Sequence, residues 1–215
     1  MPAIDIDTVL DPERIAIFKR LKKVIEDGKM AGGTALAIIL GHRKSFDFDF
    51  FYSHRISENF LISFTQNFKD RVLRPIIDTR DELSISLDDQ IRITFLYFPF
   101  PPLHPTISIT GIPLYSLEDQ ASNKAYAIGR QVEWKDYVAL YVLLKIQNLD
   151  IRKILSETKL RFGSNFDEKL FWEQLIYWKD LGEFKVSLLR LDITQDGLKE
   201  YFRKLTEEHF AELSG

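Results

Sequence analysis

The stretch FDFDFFY at residues 46–52 constrains the fold of this chain more than any other. In an extended strand, successive side chains point to opposite faces of a sheet, so a period of two separates two kinds of residue. Asp47 and Asp49 therefore share one face. The aromatic residues expected to fill the opposite, buried face are Phe46, Phe48 and Phe50. The pattern predicts a rigid strand over residues 46–52 that presents two carboxylates on its polar side.

The spacing of Asp47 and Asp49 also indicates a chemistry. Residues two apart on a strand lie about 7 Å from each other along the chain. Like charges at this distance disfavour double ionisation unless a cation lies between them. Mg²⁺ is commonly held by one or two carboxylates and completes its shell with water and substrate phosphates. The pair therefore predicts a magnesium site for nucleotidyl or phosphoryl transfer, with a solvated acidic sheet face as the ordinary alternative.

Residues upstream of the acidic pair strengthen the first interpretation. Gly32, Gly33 and Thr34 precede an apolar run, Leu36–Leu40, that is typical of a buried strand. Two glycines let the backbone approach a phosphate and present its N–H groups, and a threonine hydroxyl adds a donor. Arg43 and Ser45 follow, where a guanidinium can meet an anionic oxygen. A plain turn and a surface charge would explain each feature singly, but their proximity favours phosphate binding.

Periodicity along the chain indicates an α+β protein. An N-terminal helix is predicted over Asp11–Asp27, with Asp11 as its cap, and a second helix follows Ser57. The further predicted strands are Leu83–Leu87, Ile91–Phe98 and Thr106–Thr110. The predicted C-terminal helices are Glu118–Gly129, Trp134–Gln147, Asp150–Leu160, Asp167–Leu181 and Thr194–Leu213. Strands followed by helices predict a core domain at residues 1–116 and a helical domain at 117–215.

Composition excludes several classes of site. The chain has no cysteine, which rules out disulfides, cysteine-bound zinc, iron–sulfur clusters and thiol nucleophiles. No signal peptide and no apolar run of membrane-spanning length is visible, so we expect a cytoplasmic protein that does not bind membranes. The formal net charge is −3, and a nucleic-acid partner would therefore need a local basic patch.

The segment Gly32–Phe51 resembles a known motif. G-G-T-A-L-A-x-x-x-G-H-R-x-S-x-D-x-D-F-F is similar to the first motif of the AbiEii-type nucleotidyltransferases, a branch of the polymerase-β-like superfamily. A later segment agrees with it, because Lys124 and Asp136 stand where that family carries a functional lysine and aspartate. The resemblance covers about residues 10–150.

This resemblance implies a nucleotidyltransferase-like core with a mixed or antiparallel sheet, N-terminal helices and an all-helical C-terminal part. It further implies magnesium-dependent transfer from a nucleoside triphosphate to an RNA, such as tRNA, or to a protein. Family members are toxins, so a cognate antitoxin protein is an expected partner. The residues implied in metal binding are Asp47 and Asp49, which with Lys124 and Asp136 are also the implied catalytic residues. Those implied in nucleotide binding are Gly32, Gly33, Thr34, Arg43, Ser45 and Lys124.

Two departures from the family pattern leave an alternative open. Thr94 stands on a predicted strand where the superfamily often has a third carboxylate, and Ala139 stands where another aspartate is common. A chain without those acids could be a catalytically weak nucleotide-binding or interaction module. A glycosyltransferase that holds a metal-bound nucleotide sugar by Asp-x-Asp is a third interpretation, and a parallel doubly wound sheet would favour it.

Overall fold

A computed structural model describes residues 6–128, 130 and 133–214 of the chain. The chain divides into two compact units, Met1–Ser116 and Leu117–Gly215. The first unit holds the sheet and the second is helical. Gly129, the predicted end of one helix, lies outside the described residues.

The described part of the first unit contains a seven-stranded mixed sheet. Its strands are β1 (Lys29–Ala31), β2 (Phe48–Tyr52), β3 (Leu73–Asp78), β4 (Glu82–Leu87), β5 (Ile91–Tyr97), β6 (Ile107–Ile109) and β7 (Ile112–Leu114). Their order is β3-β4-β5-β2-β1-β7-β6. β2 pairs in parallel with β5 and antiparallel with β1, so it lies in the middle of the sheet.

The helices of the first unit are α1 (Ile6–Val9), α2 (Pro12–Leu21), α3 (Gly32–Leu40) and α4 (Phe60–Asn67). α2 begins where predicted, because the Asp11 carboxylate accepts a hydrogen bond from the Arg14 backbone N–H at 2.9 Å and proline follows the cap. It ends at Leu21, well before the predicted Asp27.

The sheet has an apolar face and a polar face. On the apolar face the rings of Phe60 and Phe64 from α4 pack against Phe95 of β5, with centroids 4.7 and 5.6 Å apart. Phe48 and Phe50 of β2 are fully buried on the same side. Because side chains alternate along a strand, Asp49 and Thr94 project from the opposite face. The aromatic core thus fixes the position of β2 and the direction of its carboxylate.

The prediction of a strand at Leu36–Leu40 is wrong, since these residues form the end of α3. Periodicity does not distinguish a short apolar run in a buried strand from one in a buried helix. Residues 34–39 are buried on every side of the helix, so the sequence lacks the polar face that would show a helical period of about 3.6 residues. Alanine and leucine favour helix, and Gly41 ends it in the left-handed conformation at φ 61°.

Two smaller predictions in this unit also need correction. The strand expected from residue 46 begins at Phe48, and Phe46 is half exposed instead of buried. Its ring lies beneath the Arg14 guanidinium, 5.2 Å from the centroid, which holds it at the surface. Strands β1, β3 and β7 were not expected, because two are only three residues long and β3 is an exposed edge strand. The hairpin of β4 and β5 is confirmed.

The second unit is helical, as the periodicity predicts. Its helices are α5 (Leu117–Ile128), α6 (Trp134–Tyr141), α7 (Ile151–Phe162), α8 (Glu168–Leu175) and α9 (Gln195–Ser214), with a π-helical turn at Val142–Ile146 after α6. Asp167 caps α8 through the Leu170 N–H at 3.1 Å, but that helix ends before the predicted Leu181. Tyr126 and Phe162 stack at 4.0 Å between α5 and α7. No helix in the described ranges is long and apolar enough to cross a bilayer.

Candidate active site

The turn from β1 into α3 lies against Asp49. Ala31 is paired with Asp49 across the antiparallel strands β1 and β2, and Gly32 follows at once. Gly32 has φ +76°, a conformation that side chains disfavour. A β-carbon placed there would also lie 2.9 Å from Oδ2 of Asp49. The glycine is therefore needed twice, for its backbone angle and for the close approach of the carboxylate.

The two aspartates occupy different environments. Asp49 is partly buried within β2, whereas Asp47 is exposed and lies just before the strand begins. The Asp47 Oδ1 atom accepts a hydrogen bond from the Arg92 backbone N–H of β5 at 3.3 Å. One carboxylate is thus fixed beside the glycine turn and the other at the start of β2, on a sheet whose core holds both in place.

Thr34 and Ser45 are buried between α3 and the segment that leads to β2. They are 2% and 4% exposed, and their hydroxyl oxygens are 2.6 Å apart. The Thr34 hydroxyl also donates to the Asp47 carbonyl oxygen. These bonds tie the first turn of α3 to the acidic segment, so the two hydroxyls position Asp47. Their predicted contact with nucleotide stays a prediction.

Arg43 lies behind the glycine turn. Its Nη1 atom donates to the Lys44 carbonyl at 2.8 Å and to the Ser45 hydroxyl at 3.2 Å, and its side chain is buried. A β-carbon on Gly33 would clash with Nη2 of Arg43. The second glycine therefore makes room for a buried guanidinium whose positive charge lies directly behind the start of α3.

Lys124 and Asp136 form a buried ion pair within the second unit. Nζ of Lys124 on α5 is 2.6 Å from Oδ1 of Asp136 on α6, and each side chain is 10% exposed. The Glu133 backbone N–H donates to Asp136 Oδ2 at 3.0 Å, which makes the aspartate part of the α6 capping box. Burial acts to raise the pKa of Asp136, but the charge and hydrogen bond of Lys124 outweigh it and hold that pKa below its usual value.

Thr94 faces Asp49 directly. The parallel register of β2 and β5 pairs Asp49 with Thr94, at the point where a third acid was considered. Asp88 and Asp89, the acids that precede β5 in the sequence, lie in the turn after β4. Asp88 accepts from the Val72 N–H at 2.8 Å and pairs with Arg71 at 2.9 Å, while Asp89 pairs with Arg74 at 3.2 Å. Both carboxylates thus already have partners at this end of the hairpin.

A metal ion would depend on the aspartate pair. Within the described ranges, no group of three or more histidine, aspartate or glutamate side chains could hold a metal. Asp47 and Asp49 offer the carboxylate oxygens that Mg²⁺ prefers, and their joint binding of one ion, completed by water and phosphate oxygens, stays a prediction. The close approach of Gly32 to Asp49 Oδ2 places this carboxylate beside the start of α3.

Arg92 and Ser84, which are not among the predicted site residues, extend the polar face next to the aspartates. Nε of Arg92 donates to the Ser84 hydroxyl at 2.8 Å, and that hydroxyl lies 3.5 Å from Thr94 Oγ1. Their signal was present in the alternation of ELSISL, where every second residue is polar, and of IRIT, where Arg92 and Thr94 alternate with isoleucine. It was missed because only the strand register shows that those residues adjoin Asp49.

Sequence comparison finds an uncharacterized relative of this chain. No protein-family model matches the sequence. An uncharacterized protein of Aquifex aeolicus (strain VF5), aq_aa25, is 29% identical over 189 residues, which is 86% of this chain and 89% of the relative. That relative is similar to this chain over most of its length but brings no function with it.

Solved structures share the fold. The nucleotidyltransferase toxin MenT4 of Mycobacterium tuberculosis H37Rv matches with a TM-score of 0.59 and 13% identity, over 88% of this chain and 80% of its own. The antibiotic-resistance factor ANT(2'')-Ia matches at 0.52 with 14% identity, over 70% of this chain and 92% of its own. The chain spans 34% of the length of the Megavirus polyadenylate synthase, at a TM-score of 0.49 and 20% identity over 67% of this chain.

These comparisons establish the fold class of the protein. The α+β architecture expected from the sequence is confirmed, and the chain has a nucleotidyltransferase-like fold. The sheet is mixed, and so the parallel doubly wound sheet that would favour a glycosyltransferase is not found in the described residues. The narrower resemblance to AbiEii-type proteins stays a prediction.

Proposed function

We propose that this protein is a magnesium-dependent nucleotidyltransferase that moves a nucleotide from a nucleoside triphosphate to an RNA, such as tRNA, or to a protein acceptor. The observation that carries the proposal is the packing of Gly32, at the start of α3, against the Asp49 carboxylate. In this arrangement the start of α3 would bind phosphate oxygens, and the adjacent Asp49 carboxylate would bind the cation.

The start of α3 suits a triphosphate. The first N–H groups of a helix have no partner within the helix and carry a partial positive charge, so they favour anions. α3 spans nine residues, and glycine occupies its first two positions, so the backbone there carries no side chain of its own and lies close to Asp49 and Arg43. The buried Arg43 adds a full positive charge behind the same turn.

Asp47 and Asp49 would hold the ion, and each has a defined support. Asp49 is fixed by β2 within the sheet, and Asp47 by the Arg92 N–H and by the bond from Thr34 to its carbonyl oxygen. Bound Mg²⁺ supplies charge neutralisation for the phosphates. Carboxylates supported in this way would position the ion and the triphosphate in advance of reaction.

The transfer itself is a substitution at the α-phosphorus of the triphosphate. An acceptor hydroxyl oxygen forms a bond to that phosphorus, and the bond from the phosphorus to the oxygen bridging the β-phosphate breaks. Pyrophosphate leaves with the electron pair, and the hydroxyl proton passes to solvent water. Lys124 and Asp136 remain proposed as catalytic residues on the motif resemblance, and their ion pair is the contact that any such role must use or open.

A toxin role in the cytoplasm, with a cognate antitoxin as partner, belongs to the same proposal. It is supported by the motif resemblance and by the shared fold of MenT4, which is named a nucleotidyltransferase toxin. The choice between RNA and protein as acceptor follows from the test below.

A second candidate, a nucleotide-binding module with slow or no turnover, is favoured by one observation. Thr94 faces Asp49 in the register of β2 and β5, so no third carboxylate adjoins the pair there to accept a proton or hold a second ion. Such a protein would keep the triphosphate site and lack efficient transfer.

Incubation with Mg²⁺ and α-labelled nucleoside triphosphates, offered RNA or protein acceptors, separates the candidates. We expect label in an acceptor with the wild type, and a loss of about a hundredfold or more with Asp49→Asn, the size of effect seen when a transition-state contact is removed. Asp81→Asn is the matched control, because the Asp81 side chain is 63% exposed and its carboxylate pairs with Arg55 at 3.1 Å.

Calorimetry on the same samples measures triphosphate binding and so distinguishes the remaining outcomes. Triphosphate binding without transfer to any acceptor would favour the second candidate. Equal transfer by Asp49→Asn and wild type would contradict the role of the aspartate pair, and absence of binding would remove both candidates.

A further inference from the structure

A row of polar residues crosses the sheet and ends beside the aspartates. Arg74 on β3 is paired with Ser86 on β4, and Ser86 with Arg92 on β5. Residues opposite one another on neighbouring strands project from the same face, so these three, here called the arginine row, lie side by side. The row reaches Asp47, whose carboxylate accepts from the Arg92 backbone N–H.

A second row of small polar residues runs parallel to it. Ser84 is paired with Thr94, and Thr94 with Asp49, two residues further along the strands. The intervening residues of β4 and β5 are apolar and buried on the other face. Beside the arginine row, this second row runs from the buried Ser84 through the partly buried Thr94 to the second aspartate.

The two guanidinium groups are held toward different ends of the strands. Arg92 is tied by its Nε to Ser84, on the side of Asp49, at 2.8 Å. Arg74 lies 3.2 Å from Asp89 in the turn after β4, on the opposite side. Their backbones are two strands apart, roughly 10 Å. A single small anion would engage one of them, whereas a chain of phosphates can engage both.

Both arginines are accessible to such a ligand. Their side chains are 67% and 48% exposed, and their carboxylate neighbours lie at 3.2 Å for Arg74 and 3.7 Å for Arg92. Exposed ion pairs of this kind contribute little to stability, so a phosphate can replace the carboxylate at small cost. The Arg92 guanidinium is already oriented by Ser84, and arginine binds phosphate with two parallel hydrogen bonds.

We propose that the arginine row binds the phosphodiester backbone of a single-stranded RNA acceptor and leads its terminal hydroxyl toward Asp47 and Asp49. Arginine contacts to phosphates with serine and threonine contacts to phosphate and sugar oxygens are the usual means of holding a nucleic-acid backbone. With a net charge of −3, the chain as a whole does not attract RNA, so the local row supplies the attraction. This inference rests on the proposed function, because it names the acceptor of that same site.

The test measures RNA binding alone, with the intact protein in EDTA and without nucleotide. The probe is a short fluorescein-labelled single-stranded oligoribonucleotide, followed by anisotropy over a range of salt concentrations. The plot of log Kobs against log salt has a negative slope. We expect Arg74→Gln and Arg92→Gln each to make that slope less steep by about 0.7, and the double variant by about twice that. Arg80→Gln is the matched control, because Arg80 is 61% exposed and lies 3.7 Å from Glu58; its slope should equal that of the wild type.

Other measurements decide what a loss of binding means. Circular dichroism melting shows whether each variant folds, and Arg92→Lys, which keeps the charge, should keep the salt slope. Binding by the double variant with wild-type affinity and slope would overturn the proposal, as would absence of RNA binding by the wild type. Displacement of the probe by polyglutamate as effective as by unlabelled RNA would overturn it too, in favour of an acidic protein partner.

The assay also separates this inference from the proposed function. RNA binding that depends on the arginine row, combined with equal transfer by wild type and Asp49→Asn, would contradict the enzymatic proposal alone. Transfer to a protein acceptor without row-dependent RNA binding would contradict the acceptor proposal alone.

Discussion

Gly32 is the residue on which the candidate site depends most. Its φ of +76° and the proximity of Asp49 Oδ2 are two independent constraints on one position. A side chain here would strain the backbone and push the carboxylate away from the start of α3. Both effects would act on the same cluster that is proposed to bind the triphosphate.

We predict that Gly32→Ala weakens triphosphate binding about tenfold or more, equivalent to roughly 1.4 kcal/mol, because the added carbon displaces Asp49. It should also lower the free energy of unfolding by about 1–2 kcal/mol from backbone strain. Calorimetric titration and urea unfolding measure the two quantities.

Gly163→Ala separates the two effects. Gly163 also has positive φ, +54°, but a β-carbon there would meet nothing within 4 Å. This variant should lose stability and keep its affinity for triphosphate. Equal affinity of wild type and Gly32→Ala would show that the contact with Asp49 does not shape the binding site.

At the scale of single residues, the sequence predicted that Gly32 and the aspartates lie close together, but it did not predict the contacts of their neighbours. The alternation of phenylalanine and aspartate predicted the polar side of β2, and the glycines were placed beside it. The burial of Thr34, Ser45 and Arg43 could not be predicted, because each bonds to groups that α3 brings near only after it folds. A strand at Leu36–Leu40, as first expected, would have left those contacts out.

Among the helices, the Lys124–Asp136 pair links α5 to α6 in the second unit. Both groups are buried, so their charges have lost most of their water and stabilise each other. The aspartate also accepts from the Glu133 N–H, which makes the start of α6 depend on its ionised form.

We predict that Lys124→Met lowers the free energy of unfolding by about 3–5 kcal/mol, because it leaves a buried carboxylate without its cation. The double variant Lys124→Met with Asp136→Asn should recover a large part of the loss, since no charge remains buried. Urea unfolding of the single and double variants at neutral pH measures this. Equal destabilisation of single and double variants would contradict the stated electrostatic reason.

The same pair predicts a pH dependence of stability. The pKa of Asp136 is lower in the folded protein than its usual value of 3.8, so the folded state favours the ionised form. Its contribution is fully present above that usual pKa and is lost as pH falls through the folded pKa. The double variant, which lacks the ionisable group, should therefore lose less stability than the wild type on acidification below pH 3.8.

Helices and strands with a clear hydrophobic period could be predicted from the sequence, whereas short or fully buried ones could not. The five amphipathic helices of the second unit and the β4–β5 hairpin follow directly from spacing in the sequence. α3 did not, because a helix that is apolar on every side carries no period. The three-residue strands β1 and β7 are too short to show any alternation.

For the whole molecule, strands followed by helices were enough to predict an α+β chain, and the mixed sheet and its structural neighbours confirm it. The strand order was beyond reach, since β2 pairs with β5 across some forty residues of chain. That pairing sets Thr94 opposite Asp49 and brings Arg92 beside Asp47. The proposed acceptor surface therefore appears only once the sheet is assembled.

The most direct measurement is a crystal structure with Mn²⁺ in place of Mg²⁺ and a non-hydrolysable nucleoside triphosphate, read by anomalous scattering from the metal. We predict one anomalous peak bonded to carboxylate oxygens of both Asp47 and Asp49 and to a phosphate oxygen, with the triphosphate against the Gly32–Gly33 turn. A metal held elsewhere, or a triphosphate bound away from the start of α3, would contradict the account.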